Sequence, residues 1–212
     1  MENTEKLKSI TDSISLSQSP AMVLCRNFIS NIDNYKDVRS ARESLIGTFR
    51  ETVLCGSNSC GFASPFGFIR ISSEDDNICE VAFTDELCPL EPRGELAVCA
   101  LWLSEYFARL DPEWFPKIRL QGTGFRHEVW KQIDEIPLGK TKTYGEIAEE
   151  ILREHPGSVI SAQAVGGAIS RNPLAILRPC HRVIGSDGTL KGYAWGVDRK
   201  RSLLEFEGVH IK

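Results

Sequence analysis

Residues 176–184 read Ile-Leu-Arg-Pro-Cys-His-Arg-Val-Ile, and this is the one place in the chain where a cysteine directly precedes a histidine. The whole sequence holds seven cysteines and four histidines. A cysteine is a good nucleophile as its thiolate, and a basic group beside it favours that form. We therefore expect Cys180 to be a reactive cysteine within an otherwise apolar segment.

The composition is that of a folded globular protein. With 212 residues, 42% hydrophobic and 25% charged, the chain is long enough for one large domain or two small ones. Its first residues lack the pattern of a signal peptide, and no apolar run approaches the ~20 residues of a membrane span. An odd number of cysteines without an export signal favours free thiols. We therefore expect an intracellular protein of the cytoplasm or nucleus, without membrane contact.

The charge is unevenly distributed. The net charge is −4, which by itself argues against nucleic acid as a partner. However, residues 156–185 contain no acidic side chain and three arginines, Arg171, Arg178 and Arg182. A local basic face can bind phosphates even when the whole chain is acidic. The region around Cys180 is therefore a candidate for contact with nucleic acid.

The first 121 residues divide into an extension and a small α/β region. A polar, serine-rich arm over 1–19 precedes two helices predicted from apolar spacing. After residue 51, short apolar runs alternate with turn residues, which predicts an antiparallel sheet followed by a helix. The predicted helices are 21–32, 38–51 and 95–110, and the predicted strands are 53–55, 67–71, 78–83 and 117–120. We assign 1–51 to a helical extension and 52–121 to the α/β region.

Residues 122–212 have a mainly helical pattern. Thr123, Thr143 and Ser161 each stand where a side chain could cap a helix. The predicted helices are 125–136, 144–154, 161–169 and 199–207, the last capped by Asp198. A turn joins the second and third, and the third is rich in glycine and alanine, as in a helix-turn-helix or an ordinary helical hairpin. The fold class is therefore α+β, a small antiparallel sheet followed by a helical domain.

The motifs around Cys180 resemble those of the O6-alkylguanine-DNA alkyltransferases, the methylated-DNA–protein-cysteine methyltransferases. The resemblance is strong over 122–208, weaker over 52–120 and absent over 1–50. The residues that carry it are Phe125, Val129-Trp130, Gly139, Thr143-Tyr144, Ala164-Val165-Gly166-Gly167-Ala168, Asn172-Pro173, Pro179-Cys180-His181-Arg182-Val183, Gly188, Gly192-Tyr193 and Glu207-Gly208. It implies a ribonuclease-H-like α/β domain over 52–121. It also implies a domain with a helix-turn-helix and an active-site loop over 122–212, which binds DNA and accepts the alkyl group.

The resemblance implies single-turnover DNA repair by a monomer, with double-stranded DNA as partner and no cofactor. An alkyl group on O6 of guanine, or on O4 of thymine, would move to the Cys180 sulfur and stay there. This is the reaction of a methylated-DNA-[protein]-cysteine S-methyltransferase. In the same resemblance His181 activates the cysteine through a water, and Glu207 orients the histidine. Tyr144 assists departure of the guanine, and Asn172 holds the cysteine loop in shape.

The resemblance also implies residues that bind the substrate and the DNA. The carbonyls of Cys180 and Val183 would read the guanine amino group, the amide of Ala194 would contact O6, and Tyr193 would form part of the pocket wall. The implied DNA contacts are Gln163, Ala164, Gly166, Gly167, Arg171 and Arg182. The small-residue helix would press into the minor groove, and the alkylated base would be extruded from the duplex.

Three departures from the family pattern bear on these expectations. Gln163 stands where the family usually has the arginine that fills the space left by the extruded base. Ala194 stands where some members have a serine, so the backbone amide remains as the contact to O6. Residues 149–158 form a longer connection than usual before the small-residue helix.

Three other functions are weighed against this one. A lesion-binding protein without transfer would lack the nucleophile that Cys180 supplies, although Gln163 leaves this alternative open. A thiol hydrolase would need an oxyanion-hole motif and a histidine apart from His181, and neither is found. A transcriptional regulator would need a second DNA-binding domain, and 1–50 shows no such pattern.

A structural zinc site is not expected, although some family members carry one. Four cysteines of the first half could be considered as zinc ligands, but they lack both the tight pairing and the companion histidines of zinc sites. They are Cys55, Cys60, Cys79 and Cys88. We interpret them as reduced thiols, and no metal ligand is assigned.

Overall fold

A computed structural model gives the fold and describes residues 20–35, 37–51, 58–86, 91–110, 112–119 and 121–211. The chain divides into two compact units between Leu120 and Gln121. The first unit takes in both the predicted extension and the predicted α/β region. The second unit contains Cys180 and the small-residue helix.

The first unit is a three-stranded antiparallel sheet with helices packed on it. Its elements are α1 (Pro20–Ser30), a 3₁₀ turn (Ile32–Asn34), α2 (Val38–Glu51), β1 (Ser59–Ser64), β2 (Gly67–Glu74), β3 (Asn77–Thr84) and α3 (Gly94–Phe107). The middle strand β2 pairs with both neighbours, and Asp75 and Asp76 adopt positive φ in the tight turn between β2 and β3. Every residue of α3 is buried, because this helix contacts the sheet as well as α1 and α2.

Most of the predicted elements of this unit are confirmed, with three differences. Strand β1 was not predicted, because Ser-Cys-Gly-Phe-Ala-Ser lacks a clear apolar alternation. The predicted strand at 53–55 lies outside the described residues. The predicted strand at 117–120 is reduced to a single bridge, in which Ile118 pairs with Ile78.

The two N-terminal helices belong to the core of the first unit. Cys25 and Phe28 of α1 and Phe49 of α2 are buried against α3, around Val98 and Leu101. The region 20–51, predicted to be an extension, is therefore packed on the central helix of the α/β fold.

The second unit is mainly helical. Its elements are α4 (Gly124–Asp134), β4 (Lys142–Thr143), α5 (Tyr144–Glu154), α6 (Ala162–Ile169), a 3₁₀ turn (Cys180–Arg182), β5 (Val183–Ile184) and α7 (Val197–Phe206). The predicted caps Thr123, Thr143 and Ser161 are confirmed, and Thr143 forms a full capping box with Glu146. The cap predicted for α7 is wrong, because Gly196 takes that position and Asp198 lies within the first turn.

A short parallel pairing fixes the cysteine segment to the helical core. Lys142 pairs with Val183 and Thr143 with Ile184, so β5 lies beside the start of α5. The 3₁₀ turn that begins at Cys180 directly precedes β5, and Tyr144 directly follows β4. This pairing, which has no local sequence signature, brings the cysteine and the tyrosine to one side of the unit.

Candidate active site

The loop that leads to Cys180 is tied together by one buried asparagine. The side-chain nitrogen of Asn172 lies 3.2 Å from the carbonyl of Leu174, 3.0 Å from that of Arg178 and 3.1 Å from the Cys180 sulfur. Its side-chain oxygen accepts from the amide of Leu174 at 3.0 Å. An amide nitrogen has two hydrogens, so these contacts share them. The predicted loop-holding residue thus lies against both the backbone of the loop and the sulfur.

His181 and Arg182, which follow the cysteine, both turn inward to one carboxylate. The Nε2 atom of His181 lies 2.9 Å from Glu207, and the Arg182 guanidinium donates two hydrogen bonds of 2.8 Å to the same carboxylate. Both His181 and Glu207 have fully buried side chains. Glu207 is the C-cap residue that directly follows α7, and the next residue, Gly208, has a φ of 84°, which suits a helix stop.

The charges of this cluster determine which histidine nitrogen is basic. Burial alone would raise the pKa of Glu207, but the hydrogen bonds from His181 and Arg182 hold that pKa at about 2. The carboxylate is therefore ionised at neutral pH, and Nε2 of His181 must donate to it. Burial lowers the pKa of His181 below its ordinary value, so the ring is neutral at neutral pH. Its Nδ1 atom, buried and without a partner among the described residues, is left as a proton acceptor.

The resting cysteine is a protected thiol. Cys180 is 4% exposed. Burial raises the pKa of its thiol to about 11, although the hydrogen bond from Asn172 and the charge of Lys200 act in the opposite direction. A neutral thiol resists oxidation and becomes nucleophilic only when a base removes its proton. Cys180 therefore depends on a neighbouring proton acceptor for reactivity.

A cavity of about 230 Å³ lies over the sulfur. It is lined by Tyr144, Gly166, Ile169, Ser170, Cys180, Gly192, Tyr193 and Ala194. The cavity brings predicted catalytic, substrate-binding and DNA-binding residues together from four places: the start of α5, the helix α6, the 3₁₀ turn at Cys180 and the loop before α7. The cavity lies beside α6, because Gly166 and Ile169 of that helix form part of its lining.

The two tyrosines of the cavity differ in their hydrogen bonds. The Tyr144 hydroxyl donates to the carbonyl of Lys191 at 2.9 Å. The Tyr193 hydroxyl is buried and has no partner among the described residues. Burial raises the pKa of both hydroxyls, so both are protonated at neutral pH. Tyr144 is thus able to donate a proton or a hydrogen bond at the cavity wall once its hydroxyl leaves the carbonyl of Lys191.

A buried lysine that the sequence reasoning missed holds the cavity loop in place. The Lys200 ammonium donates to the carbonyls of Val183 at 2.5 Å, Lys191 at 3.1 Å and Gly192 at 3.4 Å. It also lies 5.9 Å from the centre of the Tyr144 ring. Burial lowers the pKa of Lys200 to about 8. The Val183 carbonyl, predicted to read the guanine amino group, is therefore already bound by an ammonium group.

The helix α6 presents a face of small and polar side chains to solvent. Gln163, Ala164, Gly167 and Arg171 are exposed, and Gly166 is half-buried at the cavity. Five of the six predicted DNA contacts are thus on or beside one surface.

Of the three arginines in the acid-free segment, Arg171 alone is exposed. The Arg182 side chain is 11% exposed, since it binds Glu207 and donates to the carbonyl of Ile136 at 2.6 Å. This placement argues against the predicted DNA contact of Arg182. Arg178 is likewise buried and forms an ion pair with Asp134.

Among the described residues, no group of three or more histidine, cysteine and acidic side chains could hold a metal ion. Cys55 and Cys88 lie outside those residues. No helix in the described ranges has the length and apolar character needed to cross a membrane. The expected compartment stays a prediction.

Comparison with known proteins identifies the family. The family described as 6-O-methylguanine DNA methyltransferase, DNA binding domain, matches residues 124–209. A methylated-DNA–protein-cysteine methyltransferase of Methanosarcina acetivorans is 38% identical over 160 residues, which cover 69% of this chain and 96% of that protein. A Mycobacterium bovis protein of the same name is 49% identical over 105 residues, which cover 50% of this chain and 61% of the relative. The chain thus spans less than two thirds of the Mycobacterium bovis protein.

The fold comparison agrees. The crystal structure of Mycobacterium tuberculosis OGT in complex with DNA has a TM-score of 0.59 and 38% sequence identity, and the match covers 70% of this chain and 91% of that one. The fold is that of the alkyltransferases, and its second unit has a buried cysteine, Cys180, at a cavity. The chain belongs to the methylated-DNA–protein-cysteine methyltransferase family.

Proposed function

We propose that this protein repairs alkylated DNA by moving an alkyl group from O6 of guanine, or from O4 of thymine, to Cys180 in a single-turnover reaction. The observation that carries the proposal is the position of the Cys180 sulfur. It lies in a cavity that opens beside α6, and the next residue is a neutral histidine fixed by an ionised carboxylate. This combination supplies a nucleophile, a base and an entrance for a base extruded from DNA.

Activation begins with removal of the thiol proton. The Nδ1 atom of His181 is the available acceptor, reached through a water as the family resemblance implies. Glu207 stabilises the imidazolium that forms, since its carboxylate is hydrogen-bonded to the opposite nitrogen. The same contact sets the tautomer before the reaction starts.

In the transfer step the sulfur of Cys180 attacks the alkyl carbon. The new carbon–sulfur bond forms as the carbon–O6 bond breaks, and the electron pair of the broken bond stays with the guanine. A hydrogen bond or proton from Tyr144 neutralises the charge that develops on the leaving base. Tyr144 is replenished by the proton that left the thiol, so the products are a thioether and an ordinary guanine.

The reaction explains why no cofactor is required and why the protein acts once. The protein itself accepts the alkyl group, and a thioether is not hydrolysed under ordinary conditions. The substrate is double-stranded DNA, supported by the exposed small-residue face of α6 and by the related OGT that was solved with DNA. Extruding the base costs a few kcal/mol of stacking and pairing, which the contacts of α6 and the cavity would offset.

The decisive experiment is intact mass after incubation with a duplex that carries one O6-methylguanine. We expect the protein to gain the mass of one methylene group, located on Cys180, with one equivalent transferred per molecule. The variant Cys180→Ser should gain nothing, while Cys99→Ser, which changes a buried cysteine of the first unit, should react normally. Binding of the duplex without a mass change would support a lesion-binding protein instead. Repeated turnover would overturn the single-use mechanism.

A further inference from the structure

Arg178, two residues before the nucleophile, is buried in a way that requires explanation. Its side chain is 5% exposed, and a buried guanidinium is costly unless it is paired. Here it donates to both oxygens of Asp134 at 2.9 and 3.0 Å, and it lies 4.7 Å from the centre of the Trp130 ring. A two-pronged ion pair and a stacked indole both fix the plane of the guanidinium. The Arg178 side chain is therefore held in one orientation.

The same tryptophan is attached to the helix α6. The indole nitrogen of Trp130 donates to the carbonyl of Ala168 at 3.1 Å, near the end of that helix. Trp130 is 1% exposed, so the contact lies within the core. A continuous set of packed and hydrogen-bonded groups thus runs from Asp134 through Arg178 and Trp130 to α6.

The backbone of Arg178 is connected to the nucleophile. Its carbonyl accepts from the Cys180 amide at 2.8 Å and from the side chain of Asn172 at 3.0 Å. Asn172 in turn contacts the sulfur. The Arg178 side chain is thus held by α4, and its carbonyl is held by the Cys180 amide and the Asn172 side chain. Pro179 is the one residue between Arg178 and Cys180 in the chain.

We infer that Arg178, through its pair with Asp134, is a positioning residue that holds the Cys180 sulfur in a fixed position relative to α6. The inference rests on the proposed function, because its purpose is to align the sulfur with a base that enters beside α6. It also replaces the sequence interpretation of Arg178 as part of a DNA-facing basic surface. Small displacements of a reacting atom are costly, and a shift of about 1 Å can lower a rate as much as a hundred-fold.

Arg178→Met should separate two kinds of cysteine reactivity. Without the pair, the loop loosens, so we expect the maximal single-turnover rate with methylated duplex to fall about ten-fold, with the half-saturating DNA concentration unchanged. The 4%-exposed thiol should become more accessible, so iodoacetamide should label Cys180 several-fold faster. Asp134→Asn should change both rates in the same directions by a smaller amount. Arg178→Lys, which keeps the charge without the planar fork, should show a smaller fall in transfer rate and a smaller rise in labelling rate.

The chain offers a closely matched control in its first unit. Arg42 also pairs with a carboxylate, that of Glu105 at 2.6 Å, and also lies over an indole, 5.8 Å from the centre of the Trp114 ring. Arg42→Met should therefore lower stability but leave both cysteine rates unchanged. All rates are to be measured well below the unfolding midpoint of every variant.

Three results would contradict either the inference about Arg178 or the proposed function on which it rests, and each result can be told apart from the others. Unchanged transfer and labelling rates in Arg178→Met, with only a lower unfolding midpoint, would make Arg178 a stabilising residue. A higher half-saturating DNA concentration with an unchanged maximal rate would restore the DNA-contact interpretation. If the unaltered protein fails to accept a methyl group, the proposed function fails. The iodoacetamide rates at Cys180 then still decide whether Arg178 positions the thiol.

Discussion

Both units of this protein bury glutamate side chains against arginines, yet only in the second unit does such a glutamate also contact a histidine beside a cysteine. In the first unit, Glu95 and Glu105 of α3 have fully buried side chains and bind Arg50 and Arg42 of α2. In the second unit, the fully buried Glu207 binds Arg182 in the same manner. A buried carboxylate requires such partners, because the cost of removing it from water is several kcal/mol.

The difference lies in the further partner of each carboxylate. Glu95 also accepts from the backbone amide of Lys117 at 2.6 Å, and Glu105 from the indole nitrogen of Trp114 at 2.8 Å. Neither donor changes its protonation near neutral pH. Glu207 accepts instead from His181, which can gain a proton and directly follows a cysteine. The same kind of ion pair thus joins helices in the first unit and, in the proposed mechanism, prepares a base in the second.

The largest expected effect that tests this contrast is on the rate of transfer. Glu207→Gln should slow transfer from free O6-benzylguanine about a hundred-fold, the size expected when general-base assistance is lost. The glutamine cannot stabilise an imidazolium and leaves the Arg182 charge without its counterion. The matched change Glu105→Gln should lower the free energy of unfolding but leave the rate unchanged. The transfer rates of the two variants are to be measured under single-turnover conditions, at a temperature where both are folded.

The contrast would fail if Glu105→Gln slowed transfer as much as Glu207→Gln does. Such a result would mean that the rate follows overall stability and not the chemistry around His181. Free O6-benzylguanine is the appropriate substrate for this comparison because it removes DNA binding and base extrusion from the measurement.

The next effect concerns stability in acid. The pKa of Glu207 is about 2 in the folded protein against an ordinary value of 4.5, so the folded state binds the proton less readily. The stabilisation from its ionised form is complete above pH 4.5 and is lost as the pH falls from 4.5 towards 2. A shift of this size corresponds to about 3 kcal/mol. Denaturant unfolding should show that the advantage of the unaltered protein over Glu207→Gln shrinks across that range.

A difference that stays constant between neutral pH and about pH 2 would contradict the expectation, because it would show that Glu207 is not held ionised by its neighbours. The comparison with Glu207→Gln is needed because other carboxylates also titrate in this range. Subtracting the two curves isolates the single group.

The features that the sequence predicted well are local ones. The caps at Thr123, Thr143 and Ser161 depend on contacts three residues away, so the type of residue and its spacing are sufficient. The cysteine and its histidine are adjacent in the chain, and their association with Glu207 came from the family resemblance. Spacing alone would have placed Glu207 on an exposed helix surface.

The features that the sequence did not predict depend on distant partners. Arg178 and Arg182 stand in a segment without acids and gave the impression of a basic face. Their counterions, Asp134 and Glu207, are 44 and 25 residues away in the chain. The role of Lys200 was missed for the same reason, because the Val183 carbonyl that it binds lies 17 residues earlier in the chain. Charge patterning along a sequence cannot show which charges fold inward to neutralise one another.

The inward arginines leave the exposed helix α6 with little positive charge of its own, and this leads to the smallest expected effect. Gln163 is exposed on α6, where an arginine could reach into a duplex without disturbing any buried pair. Gln163→Arg should therefore speed transfer from methylated duplex a few-fold, since an added cation attracts DNA and can fill the space left by the extruded base. The reaction with free O6-benzylguanine should hardly change, because that substrate enters the cavity without a duplex.

Ala162→Arg, on a neighbouring exposed position of α6, is the control for added charge alone. Equal acceleration by both variants would assign the gain to general attraction of DNA, and equal acceleration of both substrates by Gln163→Arg would exclude a role for this position in base extrusion.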